Sequence, residues 1–240
     1  VTDQLRPDEI VSILSDEIAA LSPGDRIESE HTLMKRFGVG RSVVRSVIGT
    51  LQSMHLVRRV QGSGTFVNRR IDYVISRSKS PSLHKTVEAS GAHSETVLIG
   101  SDHSFLPAKA AARLELPPDT EVQHLTRLSH INGLPAMYVE EWILPGVCDH
   151  VDVAIGVVRS VDETLRGMGF LPIRAWCQAS LDVAPAHARQ RLELDEHDHT
   201  WVVESIARDR DTATALFHSR TWTRQDAVRL VLELDDIATS

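Results

Sequence analysis

Only two cysteines, Cys148 and Cys177, occur in 240 residues. That scarcity argues against a disulfide framework and for a reducing compartment, with both thiols as buried apolar residues. Missing too is any apolar run near the 18 residues a membrane helix needs. Asp3, Asp8 and Glu9 stand where a signal peptide would be basic and then apolar. A cytoplasmic protein with no membrane partner is expected. No HExxH, GxSxG, CxxC or phosphate-loop pattern occurs, and the twelve histidines are scattered. His197 and His199 in Asp195-Glu196-His197-Asp198-His199 have metal-ligand chemistry, but the run also reads as an acidic surface loop. No catalytic set, metal or cofactor is expected.

Charge is present, and unevenly placed. Residues 26–70 hold nine Lys/Arg against two acids, Glu28 and Glu30, inside a chain of formal charge −7. Residues 71–240 hold 16 basic and 25 acidic residues. A confined basic module suggests nucleic acid as its partner, and the acidic remainder another task.

The basic module has an order of its own. A short helix ends at Phe37-Gly38-Val39-Gly40, a second opens at Arg41 and runs to about His55, and Leu56–Val67 supplies two short strands around a glycine turn. Helix, tight turn, helix and hairpin is the order of a winged helix-turn-helix. Arg41 and Arg45 share the leading face of the second helix, while Val44, Val47, Ile48 and Leu51 form its core stripe. Arginine at that end can read guanine bidentately. Gln61 and Ser63 at the wing tip can donate hydrogen bonds, and Gly62 and Gly64 allow close backbone approach.

Pro23-Gly24-Asp25, Ser29-Glu30, Leu33, Phe37-Gly38-Val39, Arg41, Val44-Arg45, Leu51 and Gln61–Val67 resemble the amino-terminal domain of GntR-type transcription regulators. The resemblance implies DNA contacts at Ser29, His31, Arg41, Ser42, Arg45, Gln61 and Gly62, with Ser63 and Gly64 completing the wing. Three positions depart from it. Glu28 replaces a usual proline, His31 a common arginine and Gly40 a usual Ser/Thr cap. Glycine caps almost as well.

Beyond residue 68, the polar, basic stretch 69–80 reads as a linker between a DNA-binding domain at 1–68 and a second domain at 81–240. The second domain carries a repeat, Pro-Ala-x-Ala-x-x-Arg-Leu-Glu-Leu, starting at Pro107 and again at Pro185. Each copy is followed by an acidic loop and a hairpin, at about Val122–Ile131 with Ala136–Leu144 and at about Trp201–Arg210 with Ala215–Arg224. A helix at about Ser160–Met168 and a strand at about Ile173–Val183 lie between the copies. The expected fold is α+β, a mostly antiparallel sheet with flanking helices. In order, Leu116, Arg127, Asn132-Gly133-Leu134-Pro135, Pro145, Ser160 and Asp226 resemble the effector domain of the HutC branch, the UTRA domain, of chorismate-lyase-like fold. An enzyme of that fold tethered to a DNA-binding domain is the alternative to a regulator.

Ligand candidates follow. Ser82 caps a short helix containing His84, whose free amides suit a phosphate or carboxylate. Ser219, Thr221 and Thr223 share a strand face, which suits an acceptor-rich ligand and equally a solvated edge. Arg127 and Ser129 point the same way, and arginine is a natural bidentate partner for an anion. The resemblance implies an arginine pair here, of which Ser129 replaces the second, and places Ser160 in the pocket. Glu141 can face that cavity or the surface. Ile71-Asp72-Tyr73 and the hydroxyl-rich strand look most like regulators of phosphonate or phosphate uptake. The expected protein is a homodimer on palindromic operator DNA, a repressor modulated by a small anionic effector.

Overall fold

The computed structural model describes residues 5–76, 83–148, 155 and 160–233 and divides into two compact units at Arg70 and Ile71. In the first unit, α1 (Pro7–Ala19) begins on Pro7, whose missing N–H and fixed φ suit a first helical turn. Then come α2 (Glu30–Phe37), α3 (Arg41–Ser53), β1 (Val57–Val60) and β2 (Gly64–Val67). Gly38 ends α2 in the left-handed region at φ 65°, and extended Gly40 caps α3. Those two glycines set the tight turn. Val44, Val47, Ile48 and Leu51 are all buried, against Ile10, Leu14, Ile18 and Leu33. Strands β1 and β2 pair antiparallel, and Arg26 bridges to Phe66 at their side.

The second unit contains β3 (Ile71–Ile75), α4 (Leu83–Ala89), β4 (Ser94–Phe105), α5 (Ala108–Leu114), β5 (Glu121–Ile131), β6 (Leu134–Ile143), α6 (Val161–Gly167), β7 (Pro172–Val183), α7 (Ala186–Arg191), β8 (His199–Asp209), β9 (Ala215–Arg224) and β10 (Val228–Leu232). Six strands form one antiparallel sheet in the order β4-β5-β6-β9-β8-β7. Strand β3 pairs in parallel with β10. The expected linker at 69–80 is therefore corrected in part. Ile71, Tyr73 and Ile75 are buried on one face of β3 and Asp72 is exposed, the alternation of a half-buried strand. Residues 77–80 lie outside the described residues.

The duplication is larger than the sequence repeat suggests. Strand β7 does not lie between the copies. It opens the second one, and β4, which the sequence did not announce, opens the first. Both are 12 residues long, 78 positions apart, and pair with β5 and β8 in matching register. Each copy is thus strand, helix, strand, strand. The offset becomes 80 in β6 and β9, where Glu140 lies opposite Arg220, its own counterpart. A pseudo-twofold axis passes through that pair.

The repeated Arg-Leu-Glu-Leu motif is a helix stop. Glu115 and Glu193 both adopt left-handed φ, 57° and 53°. The following Leu116 and Leu194 amides then donate back to the Ala111 and Arg189 carbonyls at 3.0 and 3.1 Å. Leu192 is buried, and Leu114, Leu116 and Leu194 pack against the cores on the sheet.

Candidate functional sites

In the first unit, Arg41, Ser42 and Arg45 are exposed at the leading end of α3. The core stripe on the opposite face forces this, because burying Val44 and Ile48 turns the arginines outward. Gln61, Gly62 and Ser63 form the exposed tip between β1 and β2, with Gly62 at φ 75°. Gly64 is at φ 127° and sits so near Arg26 that an added Cβ would fall 2.8 Å from its Nε. Ser29 has a structural use, since its hydroxyl accepts from the Thr32 amide at 3.2 Å as the α2 cap. His31 is exposed on the first turn of α2.

Acids already engage part of this basic surface. Glu30 contacts Arg59 of the wing and lies 3.5 Å from Arg41 of α3. Arg36 is held by Glu17 and, at 2.6 Å, by Glu28, and the arginine bond draws the Glu17 carboxyl below its usual range. Glu28 thus supplies an ion pair where the resemblance has proline. Arg45 has no ion pair among the described residues.

The second unit holds a partly open cavity of about 70 Å³, lined largely by buried side chains. Its lining draws on both copies of the repeat. Thr96 and Arg174 are counterparts, as are Arg127 and Ser205, and Glu141 and Thr221. Ser160, the buried cap of α6, accepts from the Glu163 amide at 3.3 Å and closes one side.

Arg127 and Glu141 form a bidentate pair across β5 and β6, at 2.7 and 2.6 Å, with side chains only 12% and 6% exposed. The fork that an anion could use is occupied by this carboxylate. Glu141 faces the cavity and not the surface. Ser129 shares a hydrogen bond with Thr96, and Ser219 one with Ser205, each at 2.9 Å. Thr221 lines the cavity as well. Thr223 is fully buried but outside the lining, and its hydroxyl has no partner among the described residues. Ser82 and the side chain of His84 lie outside the described residues. Of the ligand candidates, Arg127, Ser129, Glu141, Ser160, Ser219 and Thr221 come together on this one cavity.

The sequence reading missed Arg174. This guanidinium is 8% exposed, lines the cavity from β7, and donates from Nη2 to the Tyr73 hydroxyl at 2.9 Å. Its signal lay in the offset of 78 from Thr96, readable only once β4 is known to be a strand.

Comparison with known proteins decides the family. The model for bacterial regulatory proteins of the gntR family matches residues 7–67, and that for the UTRA domain matches residues 89–229, more than half of the chain. The chain belongs to the UTRA branch of the GntR family. It is a transcription regulator with a DNA-binding head, and not an enzyme. The HTH-type transcriptional regulator GgaR of Escherichia coli K12 is 24% identical over 190 residues, 79% of this chain and 75% of that protein. The mannosyl-D-glycerate transport/metabolism system repressor MngR of the same strain is 28% identical over 140 residues, 56% of this chain and 57% of that one. PhnF from Mycobacterium smegmatis shares the fold at TM-score 0.60 and 18% identity, over 94% of this chain and 99% of that one. No helix among the described residues is long and apolar enough to cross a membrane.

Proposed function

We propose that this regulator is a homodimeric repressor whose two heads bind a palindromic operator about one helical turn apart. The leading end of α3 enters the major groove, with Arg41, Ser42 and Arg45 at the bases and phosphates, and the wing residues Gln61–Gly64 enter the adjacent minor groove. Ser29 and His31 add backbone contacts. A small anionic metabolite (a phosphate, phosphonate or sugar phosphate) occupies the cavity between the repeat copies. Binding there changes the spacing of the heads and releases the operator. The observation that carries this reading is the pairing of an exposed basic helix end in one unit with a buried, arginine-bearing polar cavity in the other. It is tested by selecting a duplex from fragmented genomic DNA, then titrating it by fluorescence anisotropy with phosphate, phosphonates and sugar phosphates at fixed ionic strength. One class should weaken specific binding at least tenfold without changing binding to random duplex. No response to any of them removes the effector half of the proposal.

A further inference from the structure

Arginine keeps its proton inside proteins, so a buried guanidinium must find a compensating acceptor or remain strongly destabilising. Arg127 has one in Glu141. The other buried carboxylate on the cavity, Asp162, pairs with Arg166 at 2.9 Å. Arg174 has neither. Its Nε and Nη1 are buried without a hydrogen-bond partner among the described residues, and its Nη2 donates to the Tyr73 hydroxyl. Its guanidinium carbon also lies 5.8 Å from the centre of the Tyr73 ring, so among the described residues it is the buried guanidinium that the protein encloses with an aromatic hydroxyl and ring face but no carboxylate.

The repeat explains how this arises. The counterpart of Arg174 is Thr96, which satisfies itself on Ser129. At the second copy's position the corresponding partner is Ala207, which offers no side-chain acceptor. A cation has therefore been set into a duplicated site at a place where the fold provides a hydroxyl pair in the other half.

We infer that Arg174 is the residue that takes the effector's anionic group, while the Arg127–Glu141 pair reads its uncharged remainder. The proposal rests on the effector reading of this cavity and narrows it. The ligand is a compact acid with one oxyanion accepting from an unpartnered N–H of Arg174, at Nε or at Nη1. It also carries a hydroxyl or amine donor, because each Glu141 oxygen keeps a lone pair beyond its bond to Arg127.

Simple anions can stand in for the metabolite. Thermal unfolding of the full chain is followed in chloride and then with phosphate, sulfate or acetate at matched ionic strength, for the wild type, Arg174→Met, Arg174→Lys and Arg127→Met. In chloride, Arg174→Met should melt several degrees above the wild type, because a buried charge with no carboxylate partner is removed, whereas Arg127→Met should melt below it by stranding Glu141. Phosphate should raise the wild-type melting temperature through binding, raise Arg174→Lys less, and leave Arg174→Met with only the general salt effect. A lower melting temperature of Arg174→Met in chloride, or an undiminished phosphate shift in that variant, overturns the assignment. A shift that survives in Arg174→Met and vanishes in Arg127→Met keeps the cavity as the effector site and moves the anion to Arg127. If none of the three anions shifts the wild type more than Arg174→Met, the anion role of Arg174 fails, while operator binding and its release stand or fall on the anisotropy titration.

Discussion

The two units handle cationic charge in opposite ways. The head keeps its arginines in water, where Arg41 is 73% exposed, and tempers them with acids such as Glu30 that solvent screens. The body encloses Arg127 and Arg174 on the same cavity, supplying a carboxylate to one and a phenol to the other. An exposed cation costs little and can wait for a polyanion. An enclosed one makes the fold depend on whatever answers it, which couples stability to a ligand. The difference separates an exposed basic surface from a buried, arginine-bearing polar cavity.

Substitutions can break that contrast, beginning with the largest effect. Glu141→Ala leaves Arg127 buried without its bidentate partner and should destabilise the body by about 3–5 kcal/mol, measured by urea unfolding. A loss below about 1 kcal/mol would place the pair in effective contact with solvent. Acid comes next. Burial pushes His218 down to about 4, from an ordinary 6.5, with Glu204 opposing the shift and Arg220 adding to it. Between those two values the unfolded chain takes a proton that the folded imidazole refuses. Stability should therefore fall by about 3 kcal/mol as pH drops from about 6.5 towards 4, and His218 should contribute no further slope below. His218→Phe should flatten that window in a pH series of unfolding curves.

In the head, Arg45→Ala should cost about 1–3 kcal/mol of operator affinity and leave anion-induced stabilisation of the body unchanged. An equal loss on specific and random duplex would make Arg45 a phosphate contact and not a base reader. The smallest effect is expected from Glu30→Gln. It frees Arg59 and Arg41, changes stability by less than about 1 kcal/mol, and should steepen the salt dependence of DNA binding by about one unit of slope.

The head was legible because its punctuation is local. Gly38 and Gly40 set the turn, Val44 to Leu51 set the buried face of α3, and the wing glycines mark their own turn. Hairpins β5–β6 and β8–β9 were legible for the same reason, the first through Asn132-Gly133, both at positive φ. Strand β4 was not. Ser94–Phe105 is an edge strand with Ser94 as its one buried residue, interrupted by Gly100 at a register shift, so its apolar alternation is weak and only its register with β5 makes it a strand. Strands β3 and β10 pair across about 157 positions, and no local pattern announces such a partner. The candidate site inherited these gaps. Arg127, Ser129 and Glu141 were found from the hairpin and Ser160 from the family resemblance, but Arg174 becomes meaningful only when its strand and that of Thr96 are seen as copies.

One paired measurement bears most directly on the division between head and body. Operator discrimination by anisotropy and phosphate-induced thermal stabilisation would be recorded side by side for Arg45→Ala and Arg174→Met in the full chain. The account predicts a clean exchange: Arg45→Ala loses discrimination and keeps the phosphate response, while Arg174→Met keeps discrimination and loses the response. Loss of both properties in either variant would contradict it.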